Sequence, residues 1–523
     1  LEIEDLLIDF AQQLVRGADG GALHHVAADF QGSPLLREAG GEARTVGGVR
    51  MASGGADLRR LDRAAFGRSL LEVPVDAAVF KLPSAELKDG TLACRLKLDA
   101  RRVREGRARR WVSQGDAEFV RRGGRWLLRA FHGTDVKTEE GVVRFPDATA
   151  ALGLEAPLVQ DERGRDQITF GRLFLGGIAA GDFDGDGDPD LYVPRPGANL
   201  LYRNDGGRFV ECARPLGVAD PDTGAAALFL DVDNDGDLDL WVSNFEPPQA
   251  RDRSGALVDN AGRRAIVLYR NDGGKFTDVT RAAGLDTRTT AMGACAADVD
   301  GDGDLDVFIP CTKDDSKEDP RFSEEVPAVV YGARDGAPDQ LWINQGNGTF
   351  REEAAARGVA DPGWGLAAAF ADYDGDGDPD LYLANDYGEH KLYRNKGGGV
   401  FEEAAGKIDT GFGMGVSWVD YDADGRLDLY VSNMYSTAGN RILSRGPGKL
   451  PPERHAMLLK MARGNTLLRN RGDGTFEDVT AAAGVGRAGW AWSNAAFDYD
   501  HDGRPDLYVA NGFRSSPYAT SDV

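Results

Sequence analysis

Apolar and polar positions follow two different patterns along this chain. From about residue 141 onward, short apolar runs (LYV, LWV, VFI, LYL, LYV, LYV) each follow an aspartate-rich stretch. Between them a second run recurs as LYRNDGGRF, LYRNDGGKF, LWINQGNGTF, LYRNKGGGVF and LLRNRGDGTF. It reads as strand, Asn-Gly-type turn, strand. Its asparagines are Asn204, Asn271, Asn344, Asn395 and Asn470, and each is followed by the next acidic stretch after 25 to 28 residues. The reverse distance, from acidic stretch to asparagine, runs from 22 to 50.

Near-constant spacing on one side and variable spacing on the other define a unit of four strands. Long insertions enter it only between the second strand and the third, at roughly 245–266, 311–340 and 434–466. Repeats of about 40–50 residues with four short strands are propeller blades. Gly/Ala-rich first strands (GGIAAGDF, GAAALFLDV, MGACAADV) suit the crowded strand nearest the axis. Six copies make six blades, and a seventh lacking its acidic stretch stays open. After Asn511 the last copy has no third or fourth strand. Phe145, Asp147, Thr149, Gly153 and Leu154 reproduce the spacing of Phe276, Asp278, Thr280, Gly284 and Leu285. A strand at 141–150 is therefore expected to complete the last blade and close the ring, which removes a sheet edge.

Residues 1–140 follow another pattern. IEDLLIDFAQQLV has helical apolar spacing, and ADLRRLDRAAFGRSLL offers a second helix. DAAVFKL, TLACRLKLDA, RARRWVSQGDAEFV and GRWLLRAFHGTDV then read as strands. Helices first and an antiparallel sheet second predict a small α+β domain. Two domains follow: an α+β module over 1–140 and a mainly β propeller over 141–523. Charge sharpens this division. The net −24 divides into about +2 over residues 1–140 and −26 beyond them. Such an acidic balance excludes nucleic acid as a partner, and no apolar run is long enough for a transmembrane segment. Four cysteines are too few for a disulfide scaffold. Cys295 and Cys311 flank one acidic stretch, either bonded or as two buried thiols.

The excess charge sits in six nine-residue loops holding 28 aspartates. Their carboxylates are Asp182, Asp184, Asp186, Asp188 and Asp190; Asp231, Asp233, Asp235, Asp237 and Asp239; Asp298, Asp300, Asp302, Asp304 and Asp306; Asp372, Asp374, Asp376, Asp378 and Asp380; Asp420, Asp422, Asp424 and Asp428; and Asp498, Asp500, Asp502 and Asp506. Position 6 is glycine in every copy. Crowded carboxylates repel, and a hard cation with several oxygen ligands removes the conflict while the glycine lets the backbone turn around it. Calcium at about six sites is the expected cofactor. A helix-flanked loop of twelve residues closing in glutamate is excluded by the length and by the strand that follows.

These loops, with SNMYSTAGNRI, MARGNTLLRNRGDGTFEDVT and DLYVANGF, resemble the FG-GAP/VCBS-repeat propellers of integrin α-subunits and, more closely, bacterial relatives of cartilage acidic protein. The resemblance implies calcium held by side chains at positions 1, 3, 5 and 9 and by the carbonyl at position 7. Arg426 and Arg504 stand at position 7 of the last two loops, where weaker binding is expected. The closing strands of residues 1–140 resemble NTF2-like (SnoaL-like) cones, which hold small-molecule pockets in some relatives and mediate dimers in others; dimerisation through this module is one expectation. Six arginines in ARRVREGRARRW (Arg101, Arg102, Arg104, Arg107, Arg109, Arg110) read as a hairpin tip, either a solvated basic face or a docking surface for an acidic partner.

Strand alternation places the insertions at the propeller end opposite the acidic loops. Trp364, Phe412, Trp490 and Trp492 open inner strands there, and Asn244, Asn385, Asn433 and Asn511 close second strands. These residues, with His390, form a candidate surface for a protein or glycan; turn capping plus packing is the other reading. The first functional expectation is a secreted, periplasmic or cell-surface recognition or scaffold protein with structural calcium. The second is an enzyme of lyase or dehydratase type acting on carbohydrate at the same end, with Asp386, Glu389 and His390 of NDYGEH as acid/base candidates. Arg471-Gly472-Asp473 and the sequon Asn347-Gly348-Thr349 both fall in the repeated turn, whose frame accounts for them. A chain opening on Leu1 reads as a mature or trimmed product, so export is expected from the loops and the likeness alone.

Overall fold

The second strands of the repeat are buried along their whole length, Asp239–Asn244 and Asp428–Asn433 alike. A strand covered on both faces needs an unbroken apolar run, and the LWV and LYV segments supply it. In this computed structural model the described residues comprise most of 177–511, the strands between 26 and 142, and short pieces near 6–10 and 148–154. Residues 155–176, 313–331 and 512–523 are among those outside the description.

The chain divides into two compact units with the boundary between Ala148 and Thr149. In the first, β1 (Val26–Gly32), β2 (Ala43–Val46), β3 (Val49–Gly55), β4 (Leu61–Asp62), β5 (Ala77–Lys88), β6 (Thr91–Arg104), β7 (Arg107–Arg122) and β8 (Arg125–Val142) form one sheet. Its main path is β2-β3-β8-β7-β6-β5, with β1 parallel to β8. Leu6, Leu7 and Phe10 are helical and buried against Phe80, Leu98, Trp111 and Phe119. The expected helix over ADLRRLDRAAFGRSLL is not formed at Leu61–Asp62, which pair with Gly32 and Gln31; cross-strand bonding outweighs helical spacing there. β6 and β7 make the arginine hairpin, where Arg102 and Arg109 lie over the buried Trp111 ring and Arg107 pairs with Glu140.

The second unit is a β-propeller. Five four-stranded antiparallel sheets begin with the inner strands Ala179–Gly181, Gly224–Leu230, Cys295–Ala297, Trp364–Ala371 and Gly413–Val419. A sixth sheet pairs Ala491–Phe497 with Asp506–Asn511. Alternate residues of a second strand face opposite neighbours. Leu381 and Leu383 pack with Phe308 and Ile343 of the third blade, whereas Tyr382 and Ala384 pack with Leu429 and Val431 of the fifth. Four inner strands shift register near their start, at Gly224/Ala226, Gly365/Ala367, Gly413/Gly415 and Ala491/Ser493, which marks a repeated β-bulge.

The closing segment differs from the expected strand at 141–150. Gly141 and Val142 continue β8, paired with Ala108 and Arg107, and Thr149–Leu152 is a helical turn. Phe145 and Asp147 lie outside the described residues. The downstream face of the sixth blade shows a difference from its neighbours: Tyr508 is 50 % exposed, whereas its equivalents Tyr192, Tyr382 and Tyr430 are buried. Cys295 and Cys311 are free thiols.

Candidate metal centres

Each acidic loop is shaped by its first and ninth aspartates. In the first loop Asp182 accepts the main-chain N–H groups of Asp186 (3.1 Å) and Gly187 (2.8 Å). Asp190, fully buried, accepts Phe183 N (3.0 Å) and Asn204 N (2.7 Å). The same pair of bonds to the ninth aspartate recurs from Val232 and Asn271, Val299 and Asn344, Tyr373 and Asn395, and Tyr421 and Asn470. Tyr499 N meets Asp506 likewise. Position 6 is left-handed in every loop, from Gly187 (φ 94°) to Gly503 (φ 83°), so the invariant glycine is a steric requirement. Position 4 is left-handed too, and there Asn234, Ala423 and His501 stand in place of glycine.

Carboxylate oxygens converge to within 4.8 Å at Asp182, Asp184 and Asp190; Asp231, Asp233 and Asp239; Asp372, Asp374 and Asp380; and Asp420, Asp422 and Asp428. In the third loop the converging set is Asp298, Asp300 and Asp302. Positions 1, 3 and 9 thus form the nucleus in four loops, where the resemblance also implied position 5. The side chain of Asp186 accepts Asp188 N (2.9 Å) and that of Asp235 accepts Asp237 N (2.9 Å), a bond that Asp302, itself in the third loop's converging set, also makes to Asp304 N (3.0 Å). At position 7 Asp188 and Asp237 turn away to Gly206 N (2.9 Å) and Gly273 N (2.7 Å), leaving only their carbonyls for a metal.

Burial pushes Asp239 up to about 6 and Asp306 and Asp380 up to about 7, and neighbouring aspartates add to each shift. Asp184, Asp233 and Asp374 are raised by burial and by the adjacent position-5 charge. Several oxygens converge on one point at a cost in electrostatic energy, and that donor set fits a hard divalent cation. The loops differ in the cations the chain itself brings near. Arg394 pairs with Asp374 (2.6 Å) and Asp376 (2.9 Å), Arg469 with Asp422 (2.9 Å), Arg426 with Asp424, and Arg357 with Asp300 (3.1 Å). In the first two blades the equivalent Arg203 and Arg270 pair with Asp205 and Asp272 of their own hairpins.

Sequence reasoning placed the five repeat asparagines in turns and missed their second task. Asn271 Nδ2 donates to Leu238 O of its own loop (3.0 Å) and to Phe183 O of the preceding one (2.7 Å). Asn344 reaches Val232 O (2.8 Å), Asn395 reaches Val299 O (2.8 Å) and Asn470 reaches Tyr373 O (2.7 Å). Their recurrence in all five copies, beyond what an Asn-Gly turn requires, was the available signal.

At the opposite end the expected residues divide. Trp364 and Phe412 meet through Tyr387, with edge contacts of 5.5 and 5.0 Å between ring centroids. Trp490 and Trp492 stack on one another at 6.5 Å. Asn244 and Asn433 are buried caps, bonded to Arg264 O (3.0 Å) and to Asn465 Oδ1 (2.9 Å, through the main-chain N). Asn511 pairs with Ala491, and its side chain lies outside the description. Asn385 donates to Asp361 (3.0 Å) and lines a cavity of about 200 Å³ with Glu389. The acid/base candidates are not assembled. His390 is buried with Nδ1 at 2.9 Å from Tyr382 Oη, while Glu389 and Lys391 on either side of it line the cavity. His390 lies between the strands Gly388–Glu389 and Lys391–Asn395, and its ring meets Tyr382 while Glu389 lines the cavity. Asp473 and Asn347, in the RGD and sequon triplets, each accept the N–H and hydroxyl of the threonine two residues on. Both triplets are the same repeat turn.

The FG-GAP-like repeat family model matches residues 177–242, 256–309, 328–383, 372–431 and 458–509. This chain belongs to that family of repeat propellers. Among curated proteins it is similar to cartilage acidic protein 1 of Mus musculus, 26 % identical over 246 residues, and of Homo sapiens, 25 % identical over 246 residues. The matches span 42 % of this chain but only 32 % and 31 % of those proteins. Among solved structures, an Agrocybe aegerita lectin that recognises non-reducing terminal N-acetylglucosamine aligns over 89 % of this chain and 96 % of its own, at 14 % identity and a TM-score of 0.34. An NTF2-like protein of Novosphingobium aromaticivorans with a cystatin-like fold aligns over 29 % of this chain and 85 % of its own, at 13 % identity and a TM-score of 0.19. Likeness at that level says nothing of function. Among the described residues no helix is long and apolar enough to cross a membrane.

Proposed function

We propose that this protein is a secreted, periplasmic or cell-surface recognition or scaffold protein whose acidic loops bind calcium as a structural element. The observation that carries this reading is the convergence of three carboxylates in each of five loops, at positions 1, 3 and 9 in four of them. The aspartates at positions 1, 3 and 9, or 1, 3 and 5 in the third loop, would hold each ion, and bound calcium supplies the positive charge that lets these carboxylates stay ionised while buried. The chain's contribution is to pre-orient them: main-chain amides fix the first and ninth side chains, and the asparagines tie successive loops together. With one end of the propeller committed to metal loops, the end carrying the insertions is left to bind a protein or glycan partner.

Thermal unfolding before and after chelation tests the calcium part. EDTA is expected to lower the melting temperature markedly, and added calcium, not magnesium, to restore it. An unchanged melt overturns the assignment.

A further inference from the structure

The hydrogen bonds of the acidic loops join into one unbroken path through the first five of them. Asp190, ninth in the first loop, accepts the N–H of Phe183 through Oδ2 (3.0 Å), and the carbonyl of Phe183 accepts Asn271 Nδ2 (2.7 Å). The main-chain N–H of Asn271 donates in turn to Asp239 Oδ1 (2.7 Å), ninth in the second loop. From there the pattern starts again. Asp239 Oδ2 accepts Val232 N–H (2.9 Å), Val232 O accepts Asn344 Nδ2 (2.8 Å), and Asn344 N–H donates to Asp306 (2.8 Å). Asn395 carries the path on to Asp380, and Asn470 carries it to Asp428. The ninth aspartate is a member of the converging carboxylates in loops one, two, four and five; in the third, Asp306 carries the path beside the set of Asp298, Asp300 and Asp302.

Each loop is a two-state element. Its carboxylates gather around a cation, or their mutual repulsion spreads them. The ninth aspartate is bonded on both oxygens, so its position and that of the second peptide of the loop change together. An ion in one loop fixes that peptide, and with it the carbonyl that seats the asparagine of the next blade. The asparagine then holds the next ninth aspartate in place before its own ion arrives. Ordering spent at one loop is not spent again at its neighbour, which tightens the second binding event. Hydrogen bonds in series also strengthen one another. Repulsion between the bound ions opposes this, but it acts through solvent and is screened at physiological salt.

We propose that the loops fill cooperatively, an ion in one loop tightening binding in the next, with Asn271, Asn344, Asn395 and Asn470 as the positioning residues that couple them. The propeller then gains its ions over a narrow range of free calcium and responds to the ion as a threshold. The inference rests on the reading of the loops as calcium sites. Asn204 of the first blade supplies a matched comparison. It holds its own loop and hairpin as the others do, through Asp190 (2.7 Å), Pro189 O (3.1 Å) and Gly207 N (2.7 Å), but reaches no second loop.

Calcium is titrated into the chelator-stripped protein at about 0.15 M salt, with bound ion read by competition against a chromophoric chelator. A Hill coefficient of about 1.5 or more is expected. Independent loops of unequal affinity only lower the coefficient, so the arginines near some loops cannot imitate coupling. Asn344→Ala cuts the path between the second and third loops; it should bring the coefficient toward unity and weaken apparent affinity roughly fivefold. Asn204→Ala loses the equivalent bonds within its own blade and should leave the coefficient unchanged. Where Asn344→Ala does not fold, Asp182→Asn probes the path from its first loop: loss of one ion together with weaker binding of those that remain is expected, and unchanged affinity of the remainder overturns the proposal. A coefficient at or below unity for the unaltered protein, or an equal fall in both asparagine variants, overturns the coupling and leaves the calcium reading standing. No calcium uptake at all overturns both.

Discussion

Asn271 of the second blade donates its side-chain amide to the carbonyl of Phe183, inside the acidic loop of the first, across 2.7 Å. The same group also holds Leu238 O of its own loop, and its Oδ1 accepts Gly274 N (2.8 Å). One buried side chain therefore fixes a hairpin, its own loop and the neighbouring loop at once.

Removing it leaves two carbonyls and one N–H without partners. Asn271→Ala is expected to cost about 2–4 kcal/mol, the sum of unmet buried polar groups, and to weaken calcium binding in the first two loops. Asn271→Asp keeps the acceptor for Gly274 and loses the donors, so it should also destabilise. Chemical unfolding with and without calcium checks both.

Ala423 sits at position 4 of the fifth loop with φ 58°, a conformation its equivalents Gly185, Gly301 and Gly375 adopt without strain. Ala423→Gly should stabilise the protein by about 1 kcal/mol by relieving the left-handed penalty. His501→Gly should do the same in the sixth loop. A raised denaturation midpoint at unchanged slope is the expected result.

Arg394 pairs with Asp374, one of the three converging carboxylates of the fourth loop, and with Asp376 beside it. Arg394→Ala is expected to tighten calcium binding there by roughly fivefold, the scale of a partly exposed ion pair, and to lower the melting temperature of the chelated protein. The corresponding Arg203→Ala, whose arginine pairs with Asp205 instead, should leave calcium affinity nearly unchanged. Calorimetric titration separates the two.

Asp339 is buried, accepts Cys311 N through Oδ1 (2.6 Å), and leaves Oδ2 without a partner. Burial raises its carboxyl well above the ordinary range, with Asp361 adding to the shift. The folded state therefore binds the proton more tightly than the unfolded one, and stability from this group is full below about pH 4 and lost as pH rises through the folded value. Asn199 and Asn465 fill the equivalent position in other blades and accept Arg195 N and Asn433 N. Asp339→Asn should match wild type in acid and exceed it at pH 8 by about 1–3 kcal/mol. Unfolding across pH 4–8 reads the difference.

The repeat made the propeller legible in the sequence, because spacing between Asn and Asp positions encodes which connection can lengthen. The acidic loops were legible for the same reason. What the pattern hid were relationships between units. Asn344 reaches Val232 O, 112 residues away, and no local rule predicts a partner in the preceding blade. His390 turns to Tyr382 while Glu389 lines the cavity, which separates residues that lie together in NDYGEH. Residues 61–62 went wrong because helical spacing is a weak prior against a strand partner elsewhere in the sheet.

The most direct test of calcium as a structural component is to strip the protein with chelator, then measure bound metal and melting temperature together as calcium is restored. About six ions per chain are expected, with the melting temperature rising as the loops fill. Uptake of no more than one ion, or full uptake without any gain in melting temperature, would contradict the account.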